Sequence, residues 1–159
     1  MTVAPWPFPD QASGMRAYLV LGALDTTFAL PVAFARSVVR IEALTRAPLA
    51  PLHVLGLANL RGEIVAVICL ASRLDPNAEP AGVGSLAVVL ECGVETLALA
   101  VQSIGDVIDA RDEDVAPMQI HVDVRRAALM SGVLRWGAAL IPILDPPALF
   151  NFRRPGEAA

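Results

Sequence analysis

The chain has 159 residues, is 55% hydrophobic and carries a formal charge of −4, with arginine as its only strong base. That length suits one domain or two small packed subdomains. No basic run is longer than Arg125-Arg126 or Arg153-Arg154, which excludes nucleic-acid binding, because a basic stripe is needed to displace phosphate counterions. Mean hydropathy is +0.58. Yet the longest stretch free of Asp, Glu and Arg, Ala47 to Leu60, falls short of the roughly 20 residues a spanning helix needs and contains Pro48, Pro51 and His53, so no membrane insertion is expected.

Residues 1–16 have no basic start and no continuous apolar segment, and Pro5, Pro7, Pro9 and Gly14 interrupt them. They read as a disordered lead-in rather than a signal peptide, which points to a cytoplasmic protein. From there apolar runs of five to nine residues recur, each closed by a turn signal. Ala17–Gly22 and Thr26–Leu30 flank Leu24-Asp25. Leu55–Leu60 and Glu63–Leu70 flank Arg61-Gly62. Ser85–Glu91 and Glu95–Val101 flank Gly93, and Ser131–Trp136 and Ala138–Leu144 flank Gly137. Each pair is expected to form a β-hairpin with Gly or Asp supplying the turn. Phe34–Ile41 and Ile104–Ala110 read as further strands, and helical spacing is confined to Pro51–Val54, Val122–Met130 and Pro146–Phe150. The pattern is that of an all-β barrel or sandwich.

The chain also repeats itself. Phe28–Val32 recurs as Leu97–Val101, and Ser37-Val38-Val39 as Asp106-Val107-Ile108. Gly56-Leu57 recurs as Gly132-Val133, and Val65–Cys69 as Ile141–Asp145. An offset of about seventy residues implies two copies of one small barrel packed face to face. Residues 75–84 have linker composition and stand between the copies.

Catalytic and metal chemistry finds little support. A nucleophile needs a base, usually His, and only His53 and His121 exist, one in a proline-flanked apolar turn and one in a loop. Cys69 and Cys92 sit inside apolar runs like small buried side chains and stand alone as metal ligands. The acidic cluster of Asp106, Asp109, Asp112, Glu113 and Asp114 lacks the glycine and terminal glutamate of a calcium loop. Gly82-Val83-Gly84 lacks the third glycine of a dinucleotide fingerprint. No catalytic residue, metal or cofactor is expected. Leu21, Phe34, Leu44 and Trp136 read as core side chains, with an interface as the other possibility.

The segment from Gly56 to Ile68, reading Gly-Leu-Ala-Asn-Leu-Arg-Gly-Glu-Ile-Val-Ala-Val-Ile, resembles the signature of the CheW family. Phe28–Val32, Arg40 with Thr45–Pro51, Leu99–Val101 with Ile104–Val107, and Gly132-Val133 with Leu140–Asp145 resemble further motifs of that family in order, from about Tyr18 to Phe150. The resemblance implies two small five-stranded β-barrels, partly intertwined, over residues 17–152, with 153–159 as a tail. It implies a non-enzymatic adaptor that couples the cytoplasmic tip of methyl-accepting chemoreceptors to the regulatory domain of a CheA-type histidine kinase, at membrane receptor arrays. By the same resemblance the protein-binding surface comprises Ala35, Ser37, Val39, Gly56, Asn59, Arg61 and Ile64. Four positions depart from the family: Ser37 replaces a Glu able to pair with Arg61, Ala66 a Pro, and Cys69 and Gln102 each an Asp. Lost carboxylates alter partner choice more than fold. A small-ligand-binding β-barrel is the rival reading.

Overall fold

Four turns of two residues organise the chain. The computed structural model describes residues 14–46, 48–51, 53–118 and 124–151; residues 1–13 of the lead-in, His121 and the tail 153–159 lie outside them. Strands β1 (Met15–Ala23) and β2 (Thr26–Pro31) form the first hairpin, and a 3-10 turn leads into β3 (Ala35–Arg40). The hairpin of β4 (Val54–Leu60) and β5 (Glu63–Cys69) follows, then helix α1 (Leu70–Leu74). The second half contains β6 (Leu86–Cys92), β7 (Glu95–Val101), β8 (Ser103–Arg111) and the two-residue β9 (Val115–Ala116). It ends with α2 (Val124–Ala127), β10 (Met130–Trp136), β11 (Ala139–Leu144) and α3 (Pro146–Leu149). Leu24-Asp25 and Arg61-Gly62 have positive φ at both residues, as in a type I′ turn, whereas Gly93 and Gly137 alone are positive in theirs, as in type II′. All four turns match the right-handed twist of their strands.

Two sheets result, in the orders β8-β1-β2-β11-β10-β9 and β3-β6-β7-β5-β4. Each half of the chain places its first hairpin in the sheet of the other half: β1–β2 lies between β8 and β11, and β6–β7 between β3 and β5. Both exchanged hairpins are joined to their neighbour by a parallel pairing, β2 with β11 and β7 with β5. The fold is therefore two similar, intertwined β-sheets, one of five strands and one of six. The sixth is β9, paired with β10 at Ala116↔Val133. The other half has an isolated bridge there, Thr45↔Leu57.

The exchange explains the apolar excess. Strands β1, β2, β6 and β7 are buried on both faces, so they read as nearly continuous apolar runs, whereas β4 alternates. One face of β7, with Leu97 and Leu99, joins Leu19, Leu30 and Leu90 in a core shared between the sheets; its other face, with Ala98 and Ala100, packs on Ile41, Val65 and Val67 inside its own sheet. A third cluster of Tyr18, Ala29, Leu134, Ile141 and Ile143 fills the six-stranded sheet. Side chains thus occupy the interior that a ligand-binding barrel would leave open.

Some local expectations change. Where helical spacing was expected over Pro51–Val54, the Val54 amide donates to the Pro51 carbonyl at 2.9 Å and Val54 already opens β4; Leu52 lies outside the described residues. Helix α2 ends at Ala127 rather than at Met130, because Met130 is drawn into β10 opposite Leu144; residues 122 and 123 of the expected helix lie outside the described residues. Helix α1 arises where β5 was expected to continue into Leu70; Leu70, Ala71, Ser72 and Leu74 turn inward once the strand has crossed the sheet. Leu21 is core, Leu44 packs on the five-stranded sheet's interior, and Trp136 is 42% exposed.

Candidate interaction site

The five-stranded sheet has two edges, β3 and β4, and it curls so that both line one cleft of about 370 Å³. Val39, Ala58, Leu60, Val65 and Val89 line it with apolar surface, and Arg36, Arg40, Arg61, Glu42 and Glu63 add charge. One end is closed by backbone: the Thr45 amide donates to the Leu57 carbonyl at 2.8 Å, and the Leu57 amide to the Thr45 carbonyl at 2.7 Å. The other end is crossed by side chains. Arg36 lies at a β-bulge between Ala35 and Ser37 and reaches Glu63 Oε2 at 3.2 Å, with Glu91 Oε2 at 3.9 Å.

Among the expected surface residues, Ser37, Val39, Asn59 and Arg61 line this cleft together. Arg61 is exposed and forms the first corner of the β4–β5 turn, with φ 55. Asn59 accepts the Gly62 amide on Oδ1 at 2.8 Å, which holds that corner's shape. Ile64 is 62% exposed and pairs with Asn59, so both belong to one face of the hairpin, with the 40% exposed Leu57 two residues before Asn59 on the same strand. Ala35 and Gly56 are buried and present no side chain to a partner. Gly56 has φ 149, and a Cβ there would strike the Thr45 carbonyl oxygen. Its part is to let residues 41–45 close against β4. Gly132 repeats this in the other sheet, where a Cβ would meet the Ala116 carbonyl oxygen at 2.6 Å. Sequence reading did not single out Arg36, and nothing in its spacing to Glu63, 27 residues apart, announces a pair.

Two of the four family departures have local partners. Gln102 caps the β1–β2 turn, its Oε1 accepting the Leu24 amide at 3.0 Å. The Cys69 thiol is buried, its Sγ accepting the Ala81 amide at 3.4 Å. Ser37 leaves β3 without a carboxylate at that place; the charge this strand brings to the cleft is cationic, and its anion stands on the opposite hairpin.

His53 precedes β4 and is half-buried. The Arg73 guanidinium donates to its Nε2 at 2.7 Å, so that nitrogen is the acceptor and the ring proton sits on Nδ1. Burial, and then the Arg73 charge, push the His53 pKa down to about 4. Arg73 also donates to the carbonyls of Ala148 and Asn151, tying α1 to the end of α3. His53 is thus a structural acceptor rather than a poised base. Among the described residues no three His, Cys, Asp or Glu side chains gather to hold a metal. In the acidic cluster Asp112 pairs with Arg16 at 3.1 Å and Glu113 with Arg111 at 3.4 Å. Among the described residues no helix is long and apolar enough to cross a membrane.

A family model described as CheW-like domain matches residues 17–154. Chemotaxis protein CheW of Rhizobium meliloti (strain 1021) is 25% identical over 139 residues, which cover 87% of this chain and 89% of that protein. Chemotaxis protein CheW of Treponema pallidum (strain Nichols) is 27% identical over 132 residues, covering 80% and 77%. The crystal structure of scaffolding protein TtCheW from Thermoanaerobacter tengcongensis has the same fold, with a TM-score of 0.73 at 22% identity over 82% of this chain and 88% of that one.

Proposed function

This chain belongs to the CheW-like domain family, and from that premise we propose that it is a non-enzymatic adaptor of chemotaxis or motility signalling, acting in the cytoplasm at receptor arrays. Its partners are the cytoplasmic tip of a chemoreceptor and the regulatory domain of a CheA-type histidine kinase. An adaptor of this kind needs no reacting group: holding two proteins at once raises the effective concentration of each for the other. The adaptor unit spans residues 17–152, with the boundary of its two halves near 75–84.

The observation that carries the reading is the cleft between β3 and β4. It combines an apolar lining with a charged rim, and four of the residues implied by the family signature, Ser37, Val39, Asn59 and Arg61, meet there. A receptor-tip segment buries apolar side chains on the partly exposed Val39 and Leu60 and sets a carboxylate against Arg61, with Ile64 as an outer anchor. Interfaces favour such arginines, because a planar guanidinium pairs well with a carboxylate at modest desolvation cost.

The test is capture of the wild type and of Arg61→Ala by a receptor-tip peptide and by the kinase regulatory domain. Arginine and alanine meet the same backbone strain at φ 55, so the melting temperature should stay nearly constant. Capture should weaken about tenfold or more, which corresponds to ~1.4 kcal/mol or above. Binding of Arg61→Ala as tightly as wild type, or its unfolding, would refute this placement of the surface.

A further inference from the structure

The geometry points to the Arg36–Glu63 ion pair as the strut that sets the width of the β3–β4 cleft, and thereby which partner segment fits it; the inference rests on the adaptor reading above. Strands β3 and β4 are opposite edges of one sheet. No ladder pairs β3 with β4 within the described residues. Their separation is set by the packing of Val39 and Leu60 on the sheet's interior cluster and by what crosses the seam at its two ends. At one end that is the Thr45–Leu57 backbone bridge. At the other it is Arg36, whose NH1 meets Glu63 Oε2 at 3.2 Å on the far side of the seam. Glu63 is the first residue of β5 and adjoins the Arg61-Gly62 corner, so the position of Arg61 over the cleft depends on where Glu63 is held. Arg36 is the extra residue of a bulge in β3, skipped between Ala35↔Leu90 and Ser37↔Val89 while the ladder with β6 continues to Arg40, and from there its side chain reaches Glu63.

Both partners are about half exposed, and an exposed pair adds little to global stability. Its effect is local, and reversing one charge does more than removing it. Glu at position 36 would face Glu63 and Glu91 together, and Arg at position 63 would face Arg36 beside Arg61. Either change pushes the hairpin corner away from β3. Arg36 and Glu63 are positioning residues in this account, acting on the partner through the seam.

The experiment combines a distance and an affinity. Spin labels on Ser37→Cys and on Ile64→Cys, which leaves the Asn59–Gly62 bond of the corner intact, with Cys92→Ser, report the width of the seam in the full chain. Capture by a receptor-tip peptide reports its use. R36E and E63R should each lengthen and broaden the label-to-label distance and weaken capture at least fivefold, with the melting temperature little changed. The R36E/E63R exchange, made with E91Q to remove the third charge, should restore both readouts to within twofold of E91Q alone. Unchanged distances in both single reversals would overturn the strut, as would altered distances with undiminished capture. Weakened capture that the exchange fails to restore, at wild-type distances, means these charges touch the partner directly and also overturns it. If the wild type captures no tip peptide, the adaptor reading falls, while the distances still decide the strut.

Discussion

Gly56→Ala should be one of the most damaging single-methyl changes in this protein. The added Cβ would strike the Thr45 carbonyl oxygen and come within 2.9 Å of the Thr45 carbonyl carbon and 3.3 Å of Arg46 Cα. These are backbone atoms, so no side chain can swing aside. Relief requires residues 45 and 46 to move off β4, breaking both hydrogen bonds of the Thr45–Leu57 bridge. Each is worth about 1 kcal/mol net. Forcing a residue with a Cβ to φ 149 adds about 1–3 kcal/mol of backbone strain. The sum, about 3–5 kcal/mol, is a large part of the roughly 5–15 kcal/mol that holds a domain folded. For a chain of this size about 2–4 °C is lost per kcal/mol, which gives a fall in Tm of roughly 6–20 °C. Thermal unfolding followed by circular dichroism measures it, with Gly137→Ala as control. Gly137 also has positive φ, but nothing lies within 4 Å of its added Cβ, so only the conformational cost of about 1–2 kcal/mol applies. A Gly56→Ala loss no greater than the control's would refute the steric argument and with it the closure of the seam by residues 41–45.

Two further outcomes are expected. Because the folded-state pKa of His53 is lowered from 6.5 to about 4, the unfolded chain takes up the proton first as pH falls. His53 should therefore contribute stability that is fully present above pH 6.5 and is lost progressively toward pH 4. Chemical denaturation between those limits should show this loss in wild type and not in His53→Gln, which keeps an acceptor for Arg73 without titrating; identical slopes would contradict the Arg73–His53 geometry. A thiol reagent should modify Cys92 in the native protein and Cys69 only after denaturation, since Cys69 is buried and Cys92 only partly so; fast native labelling of Cys69 would mean that residues 78–81 do not cover it.

Every strand but the two-residue β9, the four hairpin turns and the family resemblance were legible in the amino-acid order alone. Those signals are local: a two-residue turn needs Gly62, Gly93 or Gly137 at a set place, and each apolar run spans one crossing of a sheet. It also showed the Asn59-Leu60-Arg61-Gly62 word and the pairing of the two halves, because equivalent strands share the same burial and hence the same composition. Beyond the partial intertwining that the family resemblance implied, it could not show that each half gives its first hairpin to the other's sheet. That outcome depends on parallel pairings between strands distant in the chain, such as β2 with β11, which leave no periodic mark. Turn and helix boundaries failed where tertiary packing outweighs propensity, as at Val54, drawn into register with Ile68, and at Leu70, turned into the shared core. The site divided in the same way. Arg61 and Asn59 were legible because they sit in a motif. The burial of Ala35 and Gly56, and the bridge from Arg36 to Glu63, were decided by the curl of a sheet that brings its two edges together, a distance set by packing rather than by any spacing along the chain.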